Sequence, residues 1–297
     1  VSKMELANLI KEKRKKLGLT QKELSEGICT QALISRVENG DIIPNQIILY
    51  KIGKRLNIDK EELNRLTNSS KYKDRITQLK DTIRKFLTKR DYKTIELILY
   101  NNESLINEIT DHNDLAFFSW IEASLEDKIY NHSDEALKLL NQISLKNVVD
   151  ELAIEILNAI GVIYYRNGLF DEALGVFSNG VNIIEEDTEN NIQVKLLLNY
   201  ALTLEELDND KKALEVINQA IKLQVENESL FILGDLYHTK AHLLRKLEHL
   251  LEAKKNNQLA LSIFEIQHNN EFITMTQLEI KEIIDELEHT HAIDYMS

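Results

Sequence analysis

Proline occurs once and glycine nine times in 297 residues. Turns that need a fixed or positive φ have little to build with, which excludes collagen-like, hairpin-rich and linker-dominated chains. A single cysteine rules out an internal disulfide and points to a reducing, intracellular setting. The longest stretch without Asp, Glu, Lys or Arg runs only from Ala173 to Ile184, short of the about 18 apolar residues that a membrane-spanning helix needs. The start of the chain leads into an amphipathic segment rather than an apolar signal core. A soluble, cytoplasmic protein with no membrane partner is expected. What is present is 43% hydrophobic and 29% charged, enough to build a core and too apolar for wholesale disorder. At about 150 residues per domain, the length suggests two domains, both helical.

Charge is unevenly placed. The formal net charge is −13, yet residues 1–70 carry 13 Lys and Arg against 9 Asp and Glu, and the remainder 23 against 40. A basic head on an acidic body means that only the head is suited to approach a polyanion.

The head reads as five short helices. Met4 to Leu17 places Leu6, Leu9, Ile10 and Leu17 close to one face, and Gly18 closes it. Thr20-Gln21-Lys22-Glu23 forms a capping box for a second helix ending near Gly27. A third runs from about Thr30 to Asn39-Gly40, Pro44-Asn45 opens a fourth through Leu56, and Asp59 caps a fifth carrying Leu63 and Leu66. Two short helices joined by a tight turn, the second with exposed polar residues, are the layout of a helix-turn-helix.

Gly18 to Ser25, then Ile34-Ser35-Arg36-Val37-Glu38-Asn39-Gly40, then Pro44 with Leu49, Ile52 and Leu56, resemble the phage-repressor/Cro type of helix-turn-helix. Leu24, Ile34, Val37, Leu49, Ile52 and Leu56 supply the core. Gln21, at the start of the second helix, is placed to meet a phosphate. Thr30, Gln31, Ala32, Leu33, Ser35 and Arg36 form the accessible part of the third helix, which would enter the major groove. Gln31 can pair with adenine, Arg36 with guanine or phosphate, and Ala32 or Leu33 can meet a thymine methyl. In similar domains an ion pair like Arg14–Glu38 ties the first helix to the third.

From about Tyr72 the chain is helical throughout, with small residues at long intervals. Ala173, Ala213 and Ala253 are spaced by 40, as are Gly161, Ala201 and Ala241. Gly161 to Phe177 resembles a tetratricopeptide repeat: Gly161 lets helices cross closely, Tyr164 fills the gap, Gly168 turns the chain and Ala173 admits the neighbouring helix. A weaker unit ends at Asp134 to Leu137, and the earliest turns at Asp91-Tyr92. The period of 37–41 exceeds the usual 34, and the closing proline is missing, as longer helices would explain. Met275 to Leu287 is expected to cap the array with an acidic and polar outer face. The expected fold is all-α: a helix-turn-helix domain over residues 1–68, then a tetratricopeptide-like right-handed helical repeat domain over 69–297.

The first helices of such repeats line a concave groove suited to extended peptides. Asparagine both donates and accepts, so it holds peptide backbone regardless of side chain. Asn158 and Asn199 precede Gly161 and Ala201 on the expected inner face, and Thr239 is placed similarly. Tyr165, Arg166, His242 and Arg245 would lie deeper along that face. Lys89 and Arg90, near the first turn, are candidates for an acidic group or a peptide carboxylate.

The whole layout resembles the PlcR-like or Rgg-type peptide-responsive transcription regulators of Gram-positive bacteria. Asn158 in Leu157-Asn158-Ala159-Ile160 and Asn199 in Leu198-Asn199-Tyr200-Ala201 match family positions that hold the peptide backbone. The resemblance implies a homodimer that binds a short linear signalling peptide, encoded nearby, and a palindromic double-stranded DNA operator. Two rivals remain: repeats that bind a folded protein partner, and a repressor that senses a small molecule in an enclosed apolar pocket.

Catalytic signals are thin. No phosphate loop, dinucleotide fingerprint or nucleophile elbow occurs. His238 and His242 are spaced i,i+4 without a third ligand nearby, and Cys29 at the turn into the third helix reads as packing rather than redox sensing. No enzyme activity, cofactor or metal is expected.

Overall fold

Helix boundaries in the head follow local chemistry closely. The computed structural model describes residues 3–294. Helix α1 spans Lys3–Lys16, α2 Gln21–Ser25, α3 Gln31–Glu38 and α4 Gln46–Arg55. Thr20 accepts from the Glu23 N–H while the Glu23 carboxylate accepts from the Thr20 N–H, so the expected capping box is complete. Thr30 and Asn45 cap α3 and α4 through their side-chain oxygens. Gly18, Gly27 and Gly40 all take positive φ where a helix stops. Leu6, Ile10, Leu24, Ile34, Val37, Leu49, Ile52 and Leu56 form one buried cluster, joined by Ile58 and Leu63.

The fifth helix differs from expectation. It is a single 29-residue helix, α5, Lys60–Thr88. No glycine or proline lies between those bounds, so nothing in the sequence ends it after Leu66. The boundary expected at 68/69 falls inside this helix. Contacts divide the chain into two units, one up to Glu108 and one from Ile109 onward. The first unit is completed by α6, Tyr92–Asn101, capped by Asp91 as the Asp91-Tyr92 turn implies, and by the single turn α7, Glu103–Ile106.

The second unit is a ladder of helix pairs: α8 His112–Lys128 with α9 Ser133–Gln142, α10 Asp150–Arg166 with α11 Phe170–Asn182, α12 Asn190–Glu206 with α13 Asp210–Glu226, and α14 Leu233–Lys246 with α15 Leu250–Ile266. The last helix, α16, Asn270–Asp294, packs on α15 and is longer than the expected Met275 to Leu287. Its exposed positions are mostly acidic or polar, as expected, among them Glu271, Gln277, Glu282 and Asp285, with Met275 and Leu278 as apolar exceptions.

Small residues do set the pitch. Ala136, Ala173, Ala201, Ala213, Ala241 and Ala253 are fully buried. At Gly161 a Cβ would sit 2.4 Å from the Phe177 ring, and at Gly234 one would sit 2.6 Å from the Phe264 ring. Each glycine thus lets the two helices of its pair approach across a phenyl face.

A second periodicity lies in the backbone. Asn131, Gly168, Asp208, Glu248 and His268, each at the turn after a helix, take positive φ. At four of these turns the N–H of the next residue reaches back to a carbonyl one helical turn inside: Leu169 to Tyr164, Asn209 to Leu204, His249 to Leu244 and Asn269 to Phe264. That is the Schellman closure, repeated along the array, with glycine at only one of its positions. Among the described residues no helix is long and apolar enough to cross a membrane.

Candidate functional site

In the first unit the exposed face of α3 is built on a relay of side chains. The Arg14 guanidinium grips Glu38 with two bonds, Nη2 to Oε2 at 2.9 Å among them, and its Nη1 donates to the Leu19 carbonyl at 2.7 Å. This is the expected tie between α1 and α3. Glu38 also accepts from Gln21 Nε2 at 3.0 Å, and Gln21 Oε1 accepts from Gln31 Nε2 at 2.9 Å. Burial pushes the Glu38 carboxyl up, but hydrogen bonds from Arg14 and Gln21 and the Arg14 charge outweigh it, holding the group below the ordinary range. Gln31, first residue of α3, is therefore anchored through Gln21 to a buried charge pair while staying exposed. Thr30, the cap of α3, is exposed, as are Ala32 and Arg36 on the helix, while Leu33 and Ser35 are half-buried.

Arg55 completes this unit's frame, a role that no local motif marks. Its Nη1 donates to the carbonyls of Glu23, Leu24 and Glu26, closing the C-terminal end of α2. Cys29 packs on the helical core, and burial pushes its thiol up, away from the reactive thiolate. Lys89 and Arg90 are exposed at the turn before α6, with Lys89 over the Phe86 ring and Arg90 at φ 55.

In the second unit, successive first helices are joined by polar rungs, each linking residues about one repeat apart. Arg166 of α10 pairs with Asp127 of α8. Asn199 Nδ2 of α12 donates to Asn158 Oδ1 of α10 at 2.8 Å, and two turns further along both helices Tyr165 Oη donates to Glu206 Oε1 at 3.0 Å. His242 Nδ1 of α14 meets Glu205 of α12 at 2.5 Å, His238 Nε2 meets Glu279 of α16 at 2.8 Å, and Arg245 grips Glu282 and Glu286 of α16.

The consequence differs between the expected peptide contacts. The guanidiniums of Arg166 and Arg245, expected on the peptide face, are committed to carboxylates of neighbouring helices and hold the ladder together. The Asn158–Asn199 pair leaves Asn158 Nδ2 and Asn199 Oδ1 without another partner among the described residues, so it presents one donor and one acceptor. Tyr165, Thr239 and His242 line an open trough of about 660 Å³ with Leu202, Glu205, Glu206, Asp208, His238, Lys246 and Glu279. Burial, then the Glu206 hydrogen bond and the charges of Glu206 and Glu205, push the Tyr165 hydroxyl up to about 12, so it stays a donor. Sequence reasoning does not single out the carboxylates of this wall. The signal available is their position one repeat away from Tyr165 and His242.

A helix-turn-helix presenting a braced polar helix face, in one chain with stacked helix pairs laced by polar rungs, defines a helix-turn-helix regulator with a tetratricopeptide-like repeat domain. The helix-turn-helix family model matches residues 10–63 and the RNPP family C-terminal domain model matches residues 76–283. The chain belongs to the RNPP family. Among solved structures it is similar to Bacillus thuringiensis PlcR in complex with the peptide PapR7 and DNA, at 26% identity and a TM-score of 0.63, over 92% of this chain and 99% of that one. It is also similar to the apo form of Bacillus thuringiensis PlcR, at 24% identity and a TM-score of 0.64, over 93% and 99%. No curated protein matches the chain by sequence.

Proposed function

We propose that the chain is a DNA-binding transcription regulator whose operator binding is controlled by a short signalling peptide held along the first helices of its repeats. It acts in the cytoplasm as a homodimer on a palindromic operator, because one short recognition helix covers too few base pairs for useful specificity. Residues 1–68 read DNA, with Gln31 and Arg36 at base edges, Gln21 and Thr30 toward the backbone, and Ala32, Leu33 and Ser35 filling the contact. The repeats hold the peptide and form the dimer. No catalytic step is assigned to any residue.

The observation that carries the peptide reading is the Asn158–Asn199 pair. Its free donor and free acceptor match the C=O and N–H of one extended peptide unit, and the α10 and α12 helices that present it are neighbours in the ladder. A peptide seated there competes for rung hydrogen bonds, and each rung it exchanges alters how one repeat sits on the next. That is a physical route from ligand to repeat geometry, and coupling of about 1–3 kcal/mol is sufficient for a regulatory switch. The PlcR structure with peptide and DNA supports the same division of labour at 26% identity. Fluorescence polarisation of labelled synthetic peptides, taken from the processed C-terminal end of the short reading frame beside the gene, tests it. Saturable binding to the full chain that weakens in Asn199→Ala is expected; absence of binding contradicts it.

A further inference from the structure

The trough beyond the asparagine pair has a charge character of its own. Four carboxylates line it, Glu205, Glu206, Asp208 and Glu279, against one lysine. Lys246 is held by Asp210 at 2.8 Å. His242 and His238 are held by Glu205 and Glu279. Glu206 accepts only a neutral hydroxyl, that of Tyr165. Asp208 sits at φ 55 in the turn after α12, and its carboxylate forms no hydrogen bond or ion pair among the described residues. Glu206 therefore has no cation against it, and Asp208 has no ion pair, only the charge of nearby Lys246, which Asp210 already holds.

An independent feature points to a ligand. Thr239 is only 8% exposed, lines the trough, and its hydroxyl makes no hydrogen bond among the described residues. The residue is held in the wall while its unpaired hydroxyl faces the open trough, where it can accept from a donor seated there. The trough is open and large enough for a side chain. Among the described residues no three His, Cys, Asp or Glu groups are arranged to hold a metal ion, which favours an organic cation.

Resting on the signalling-peptide reading above, we infer that this trough is a subsite for a cationic group of the peptide, held by Glu206 and Asp208 with the Thr239 hydroxyl accepting one of its N–H bonds. A lysine or arginine side chain and a free α-amine share that chemistry. An acidic residue at the same place faces two carboxylates that form no ion pair and is disfavoured, so the wall selects by exclusion as well as attraction.

Affinity selection tests the assignment. Heptapeptide pools, random except for one position fixed in turn as Lys, Gln or Glu, are made with free and with acetylated amino termini. Each is incubated with the full chain, and bound peptides are recovered by gel filtration and sequenced by mass spectrometry. The expected result is enrichment of Lys over Gln by about fivefold or more at one position, or of free over acetylated termini, with Glu depleted. The first outcome assigns a side chain and the second the α-amine. The double variant E206Q/D208N keeps a carbonyl oxygen at position 206 to accept from Tyr165, and is expected to recover peptides but without the charge preference. Equal recovery of Lys and Glu pools, or a preference unchanged in E206Q/D208N, overturns the cationic subsite alone. Recovery of no peptide from any pool overturns the signalling-peptide reading and this subsite with it, whereas Asn199→Ala is expected to reduce all pools alike.

Discussion

Asn199 donates to Asn158 across 41 residues of sequence, and Tyr165 donates to Glu206 across the same interval, two helical turns further on. The two rungs clamp α10 to α12, and only the asparagine rung leaves amide groups free for another backbone. Asn199→Ala removes both the rung and the free acceptor. Peptide affinity is expected to fall about tenfold or more, as for the loss of one or two hydrogen bonds at about 1 kcal/mol each. Operator affinity of the peptide-free chain is expected to stay within twofold, roughly the error of such titrations. Anisotropy titrations with labelled peptide and labelled duplex check both.

The Arg14–Glu38 pair has side chains only 11% and 1% exposed. Removing one partner strands a buried charge, so Glu38→Ala is expected to destabilise the first unit by about 3–5 kcal/mol. The pair is also acid-sensitive. Because Glu38 titrates below the ordinary 4.5 when folded, its contribution is full above 4.5 and disappears as pH falls through the folded value. Urea melts from neutral pH to about pH 3 are expected to show this loss in the wild-type chain and a flatter profile in Glu38→Gln.

His242 behaves with the opposite sign. The Glu205 hydrogen bond raises it above the ordinary 6.5, against burial, with help from the charges of Glu205 and Glu279 and opposition from Lys246. Its contribution is full below 6.5 and declines as pH rises through the folded value. The side chain is half exposed, so the effect is expected to stay below about 1 kcal/mol. The difference in melting midpoint between wild type and His242→Gln is expected to shrink between about pH 6 and pH 9.

Helix-closing turns give a prediction that involves no ligand. Glu248 sits at φ 65 and Gly168 at φ 73 in equivalent turns. A left-handed residue with a Cβ is strained by about 1 kcal/mol. Glu248→Gly is therefore expected to raise stability by roughly 0.5–1 kcal/mol, and Gly168→Ala to lower it by a similar amount, read as shifts in denaturant midpoint at unchanged slope.

Those turns also show where the sequence is legible and where it is not. Caps such as Thr20 with Glu23 and stops such as Gly40 are local, and they appear in the chain as they stand in the fold. The close-packing residues Gly161, Ala201 and Ala241 are legible because small size recurs at a fixed interval. Asp208, Glu248 and His268 do the work of Gly168 without being glycine, so the turn signal at those positions is weak. Helix α5 outruns its expected end because Asp59 and Leu66 resemble the bounds of a short helix, while the lack of a breaker before Thr88 is the stronger fact. In the groove, residue type identifies Arg166 and Arg245 as available charges. Their partners Asp127 and Glu286 lie 39 and 41 residues away, so only the stacking register reveals that these arginines are paired. The same register brings Glu205, Glu206 and Asp208 to the wall of the trough, a site that no local motif marks.

The most direct test of peptide control is operator affinity measured with and without bound peptide. A palindromic duplex, selected from random DNA by the full chain, is titrated by fluorescence anisotropy in the absence and presence of saturating synthetic peptide, with peptide occupancy checked by its own label. The account predicts a change of about tenfold or more in operator Kd, equivalent to about 1.4 kcal/mol of coupling, and in Asn199→Ala the same change only at a peptide concentration about tenfold higher. Superimposable operator titrations with the peptide fully bound would contradict it.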